Sequence, residues 1–187
     1  MAKKQKIKSG LVLKIAIGDG FISFAKVLTS TYICIYDFRI KEEDFINFNI
    51  NDLENKPILL YLTVYKSVIV EGKFPVIGEL PVSIEEIHKI PPSFNQDENT
   101  LECTLYYYEP AIIRKATPEE CIGLDKISVY EDFGVIERIK NHFLGKKSPN
   151  LEYHKVRLSK EDIRYQYPNI RWDDERGEFV KDNVGWD

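Results

Sequence analysis

Three cysteines, Cys34, Cys103 and Cys121, and three histidines, His88, His142 and His154, are the side chains from which a thiol–imidazole nucleophile could be assembled. Such a pair needs a thiolate stabilised by a helix N-terminus or a nearby cation. Cys34 and Cys103 lie instead in alternating, strand-like runs on faces that read as core, and Cys121 falls near the end of a short capped helix. An odd number of cysteines without C-x-x-C spacing argues against both a disulfide framework and a zinc knuckle. The expectation is three buried, reduced thiols and no catalytic set. His142, in the last turn of a helix, reads as a partner for the carbonyl end. No H-x-x-x-H or comparable cluster is present. Asp173-Asp174-Glu175 reads as a solvated acidic turn, because a hard-cation loop spaces its ligands on alternating positions. Neither a metal nor a cofactor is expected.

Gly18-Asp19-Gly20 lacks the third glycine and the strand-to-helix context of a dinucleotide fingerprint, so it reads as a tight structural turn. Tyr106-Tyr107-Tyr108 carries more recognition chemistry. Alternation sends Tyr107 to one face and Tyr106 and Tyr108 to the other, and tyrosine suits binding surfaces because it offers large rigid area and one hydroxyl. Glu102 and Glu109 flank the three rings, where single-stranded nucleic acid would call for Lys and Arg. A second acidic and aromatic group, Tyr167, Trp172, Asp173, Asp174 and Glu175, lies near the C-terminus. Tyr106, Tyr108 and this group are the candidate partner-binding residues, the competing role being aromatics that pin a C-terminal arm to the core.

The elements that must position these residues are mostly strands. In residues 11–17, Leu11, Leu13, Ile15 and Ile17 share one face with period two. After the glycine turn, residues 21–28 and 32–38 follow as second and third strands of a meander. Residues 41–55, headed by Glu42, Glu43 and Asp44, read as a polar connection. Residues 57–65 form an apolar strand, 66–72 are open between a short helix and more strand, and 76–80, bounded by Pro75 and Pro81, suit an edge. Ser83-Ile84-Glu85-Glu86 is a capping box opening a helix that Pro91-Pro92 stops. Residues 101–109 alternate as a strand. Thr117-Pro118-Glu119-Glu120 is a second capping box, and residues 127–130 a short strand. Asp132 caps a helix to Leu144, with Val135, Ile136, Ile139 and Phe143 as its apolar stripe and Gly145 as its stop. Residues 169–181 fit a hairpin around Asp174-Glu175-Arg176-Gly177.

Composition sets the frame. With eleven Tyr and ten Phe among 187 residues, and abundant Ile, Val and Leu, the chain has enough apolar material for one sizeable core and leans towards sheet. The net charge of −4 includes four lysines at positions 3, 4, 6 and 8, so the remainder carries −8. Such a domain repels polyanions and favours a basic partner, not nucleic acid. No apolar run approaches a membrane span, and no apolar region with a cleavage site follows the basic start, so a cytoplasmic protein is expected. The chain divides into a flexible basic tail (1–9), a β-rich core (10–147) and a C-terminal arm packing on the core (148–187). The expected fold is α+β: a mainly antiparallel, partly barrel-like sheet with two or three short helices packed at its side.

Four stretches, Gly18–Leu28, Lys73–Gly78, Pro91–Asp97 and Ala116–Leu124, resemble in order and separation the bacterial immunity protein 26 family. The resemblance covers residues 10–145. The chain departs from the pattern at Ala25-Lys26-Val27, where a Gly-Arg-Val-like step is expected, and at Phe74, where Trp is more typical. The resemblance implies a non-enzymatic inhibitor from a polymorphic toxin system that binds and neutralises a cognate toxin domain encoded beside it. It carries over no contact residues. The alternative is a small-ligand or peptide-binding β-module that uses a barrel mouth near Gly18–Gly20 and the tyrosine strand.

Overall fold

The computed structural model describes residues 6–97, 99–108, 111–148 and 154–159, and the backbone of 170–173 and 178–181. In chain order the strands are β1 Leu11–Gly18, β2 Phe21–Thr29, β3 Tyr32–Lys41, β4 Ile58–Val64, β5 Val76–Glu79, β6 Ser93–Gln96, β7 Cys103–Tyr106, β8 Ile113–Ala116, β9 Val129–Tyr130, β10 Ile170–Asp173 and β11 Glu178–Lys181. The α-helices are α1 Lys66–Val70, α2 Ile84–His88 and α3 Asp132–Phe143. The large sheet has the order β5-β1-β2-β3-β4-β9 and the small one β6-β7-β8, while β10 and β11 form a hairpin. Pairing is antiparallel except between β4 and β9. The fold is therefore α+β and mainly antiparallel, and the large sheet stays open between its β5 and β9 edges rather than closing into a barrel.

The meander follows the sequence closely. Asp19 and Gly20, at φ 54° and 72°, make the two-residue turn between paired Gly18 and Phe21. Two positive φ values in succession match the twist of the flanking strands, which is why Asp-Gly serves there. Leu11, Leu13, Ile15 and Ile17 do share a face. They pack with Ala25, Val27, Ile33, Ile35, Leu62 and Val64 beneath α1 (Val68, Ile69) and α3 (Val135, Ile139).

The opposite face is covered as well. Residues 41–55 are more than a connection: they form two 3-10 turns, Glu42–Asn47 and Ile50–Asn55, that bring Phe45, Phe48 and buried Leu53 over Val12, Ile22, Phe24 and Tyr36. Phe24 stacks on Phe48 with centroids 4.3 Å apart. Further along this face, Leu28 and Cys34 meet Ile87 and Ile90 at and just beyond α2. With both faces covered, β2 is buried along almost its whole length.

That burial traps Lys26, which is only 5 % exposed in the middle of β2. Its ammonium donates to the Pro81 carbonyl at 3.1 Å and to Glu86 Oε1. The other Glu86 oxygen accepts from the Ser83 N–H at 2.9 Å while Ser83 Oγ accepts from the Glu86 N–H, completing the capping box of α2. One carboxylate thus ends a helix and neutralises a buried cation.

Several local expectations are corrected. Strand β7 starts at Cys103, because Asp97 Oδ1 accepts from the N–H groups of Asn99 and Thr100 and the resulting turn puts Leu101 at φ 64°. Thr117 donates its N–H to Glu120, but the element is a single 3-10 turn, Glu119–Cys121, with no side-chain cap. Glu131, not Asp132, precedes α3, and the Asp132 carboxylate instead binds Lys73 at 2.8 Å. His142 does lie in the last turn of α3, and its Nε2 also has a tertiary partner 2.8 Å away, Asp37 Oδ1 on β3. The expected helical stripe on α3 holds, and Gly145, at φ 65°, ends it.

His154, Val156 and Arg157 lie against the core. Gln96 bonds both backbone groups of Arg157, Val156 enters the cluster of Phe94, Cys103, Leu105 and Cys121, and His154 Nδ1 sits 3.0 Å from Ser128 Oγ. At the other end Ile7 packs on the main core and Lys8 pairs with Glu79 at 2.6 Å.

Two measurements follow from this packing. Glu86→Ala leaves the Lys26 ammonium without its counter-charge, and urea unfolding should show a loss of about 2–3 kcal/mol. Adding Lys26→Met removes the stranded charge and should restore at least half of that loss; additive losses would contradict the assigned role. The second concerns His154. Burial, followed by repulsion from Lys126 and Arg138 and opposed by Asp125, holds its imidazole below the ordinary value of 6.5. Folding then disfavours the protonated ring, so this contribution is intact above pH 6.5 and is lost as pH falls through the lower folded value. Stability should decline as pH falls below the ordinary value of 6.5, and His154→Gln should flatten that slope.

Candidate functional site

Strand β7 sends Cys103 and Leu105 into the core of the small sheet and turns Tyr106 to the other face, half-buried. Just past the strand end, Tyr108 lays its ring against Tyr32 with centroids 5.3 Å apart and donates its hydroxyl to Thr29 Oγ1 at 2.8 Å. Tyr107 lies against the core of the small sheet, with its ring facing the Arg114 guanidinium. Tyr108 is therefore partly spent on latching the small sheet to the β2–β3 end of the large one, while keeping an exposed edge. Trp172 and Asp173 lie in β10, where the backbone pairs Trp172 with Phe179 and Asp173 with Glu178. Tyr167, Asp174, Glu175 and Trp186 lie outside the described residues.

Gly18-Asp19-Gly20 is a hairpin tip, tied down by an Asp19–Lys140 ion pair at 3.2 Å. A cleft of about 480 Å³ opens elsewhere, where β4, the Pro91–Ser93 approach to β6, the Gly123–Asp125 loop and the second half of α3 converge. Arg138 is its buried polar centre. Its two terminal nitrogens donate to the Tyr130 hydroxyl at 3.0 Å and to both Asp125 oxygens at 3.1 and 3.3 Å, while its buried Nε–H has no acceptor in the protein. Sequence reading missed this place because segments distant in the chain build it. The one available signal was an arginine, Arg138, beside the apolar stripe of α3.

The three cysteines are buried and unpaired. Desolvation pushes the Cys34 thiol up to about 11 and the Cys121 thiol up to about 12, and raises Cys103 as well. All three are protonated at neutral pH, the opposite of what a nucleophilic thiolate requires. Among the described residues no group of three His, Cys, Asp or Glu side chains gathers as a metal site would need. No helix among them is long and apolar enough to cross a membrane.

A family model described as immunity protein 26 matches residues 8–102, just over half of the chain. The match takes in the meander, the covering 3-10 turns, α1, α2 and β6, and ends before the 116–124 stretch and α3. No curated protein and no solved structure matches the chain. With the meander, the Pro91-Pro92 stop and the turn at Gly18–Gly20 all inside the matched span, the chain belongs to the immunity protein 26 family.

Proposed function

We propose that this protein is a non-enzymatic immunity protein that binds and neutralises a cognate toxin domain in the cytoplasm. Family membership carries the reading. Three buried, protonated thiols fit a reducing compartment and a binding role rather than nucleophilic catalysis.

The partner we propose is a basic protein domain, because the chain beyond its first eight residues carries −8 and a field of that sign speeds encounter with a cation-rich surface. The proposed contact surface is the acidic and aromatic arm, Tyr167, Trp172, Asp173, Asp174 and Glu175, together with the exposed edges of Tyr106 and Tyr108. Large rigid rings anchor an interface at small conformational cost, and neighbouring carboxylates steer the approach. A specific observation favours a second surface. The 3-10 turns that cover the large sheet expose Glu42, Glu43, Asp44, Asp52 and Glu54, and Ile46 in the first of them is 87 % exposed.

Co-expression with the toxin domain encoded beside this gene should allow growth and yield a complex that co-purifies; cell death in its presence, or no complex, would overturn the proposal. Reversing Asp173, Asp174 and Glu175 to lysine should slow association and weaken its salt dependence. If that variant associates as the native protein does while reversal of Glu42, Glu43 and Asp44 slows it, the interface is the covering segment and not the arm.

A further inference from the structure

The three buried thiols fall into a pair and a single. Cys34 packs with Leu28, Ile87 and Ile90, and no second sulfur lies in that cluster. Cys103 and Cys121 instead share the core of the small sheet with Phe94, Leu105 and Val156. The chain brings these two together within one turn. Cys103 opens β7 and pairs directly with Ala116, the last residue of β8. The 3-10 turn Glu119–Cys121, closed by the Cys121 N–H on the Pro118 carbonyl at 3.1 Å, then returns the chain to the same cluster.

The two thiols meet there. The Cys103 thiol donates to the Leu101 carbonyl at 3.6 Å, which leaves its sulfur free to accept a hydrogen bond from Cys121. That bond eases loss of the Cys103 proton and hinders loss of the Cys121 proton, although burial raises both thiols. Cys103 is therefore the sulfur of the pair that ionises first and attacks first. Access comes through β8, an edge strand that pairs only with β7 and exposes Ile113, Arg114 and Lys115. An edge of this kind opens locally more readily than the doubly covered β2.

We propose that Cys103 and Cys121 form a reversible dithiol–disulfide site, closed by a low-molecular-weight disulfide and reopened by excess thiol. The Cys103 thiolate attacks one sulfur of the reagent, breaks its S–S bond and releases one small thiol. Cys121 then gives up its proton and attacks the Cys103 sulfur, displacing the second small thiol. Two protein thiols are oxidised to one disulfide while one small disulfide is reduced to two thiols, and each departing thiolate takes up one of the two protons. In a reducing compartment the pair stays open. Closed, it ties the start of β7 to the turn after β8. Because the Cys121 carbonyl accepts from the Leu124 N–H at 3.1 Å, the bridge also steadies the loop that carries Asp125 to Arg138.

The experiment incubates the folded full chain with bis(2-hydroxyethyl) disulfide, followed by intact mass, peptide mapping and thermal unfolding. The chain should slowly lose the mass of two hydrogens, yield a linked Cys103–Cys121 peptide and recover fully in dithiothreitol. Closing the loop from residue 103 to 121 should raise the melting temperature by roughly 5 °C. Cys34→Ala should bridge as the native chain does, whereas Cys121→Ala should stop at a mixed disulfide on Cys103. If either variant fails to fold, the peptide map of the native chain decides. No bridge, a bridge that includes Cys34, or a melting temperature that does not rise overturns the proposal. A stable adduct on Cys103 of the native chain, with Cys121 left as a free thiol, overturns it as well.

Discussion

The Glu86 carboxylate is the point on which the arrangement of this domain turns. Strand β2 is covered on both faces, so every side chain on it must be apolar, small or neutralised, and Lys26 is neither apolar nor small. Its ammonium can stay charged there only beside an anion and an acceptor, and Glu86 and Pro81 supply them. Because Glu86 simultaneously closes the capping box on Ser83, the pair fixes where α2 begins and how it sits over Leu28 and Cys34. Lys26 stands where the family pattern leads one to expect arginine. A lysine delivers one compact charge to one carboxylate oxygen, leaving the second oxygen free for the cap.

Much of the scaffold was legible in the sequence. The period-two run from Leu11 to Ile17, the Asp19-Gly20 turn, the Ser83–Glu86 box and the stripe on α3 each follow from local rules, and they agree with one another. What failed was two-sidedness. Ser23 and Lys26 are polar residues of a strand covered on both faces, and Ser23 is buried with its hydroxyl on the Phe38 carbonyl. The cover over that face comes from residues 42–55, whose acidic head hides the packing residues Phe45, Phe48 and Leu53 among polar neighbours. Asp132 was misread for a related reason: a local cap was the nearest explanation, and a tertiary partner, Lys73, outbid it.

The candidate sites divide along the same line. Alternation turns Tyr106 away from Cys103 and Leu105, but the contact of Tyr108 with Tyr32 and Thr29 depends on how two sheets meet, which no local pattern encodes. The Arg138 cleft depends on even more distant convergence. The acid-rich surface, by contrast, was written in composition. For the basic partner proposed above, long-range attraction would set the rate of encounter whichever segment makes the contact, and a few aromatic or aliphatic anchors would set how long the complex lasts.

In the proposed function this chain acts by occupying its partner and not by transforming it. The most direct measurement is a titration of purified toxin activity with purified immunity protein at concentrations well above the dissociation constant. Stoichiometric occupation predicts a linear fall of activity that reaches zero at one equivalent and stays there. Complete inactivation at a small fraction of an equivalent, or activity unchanged beyond one equivalent, would contradict it.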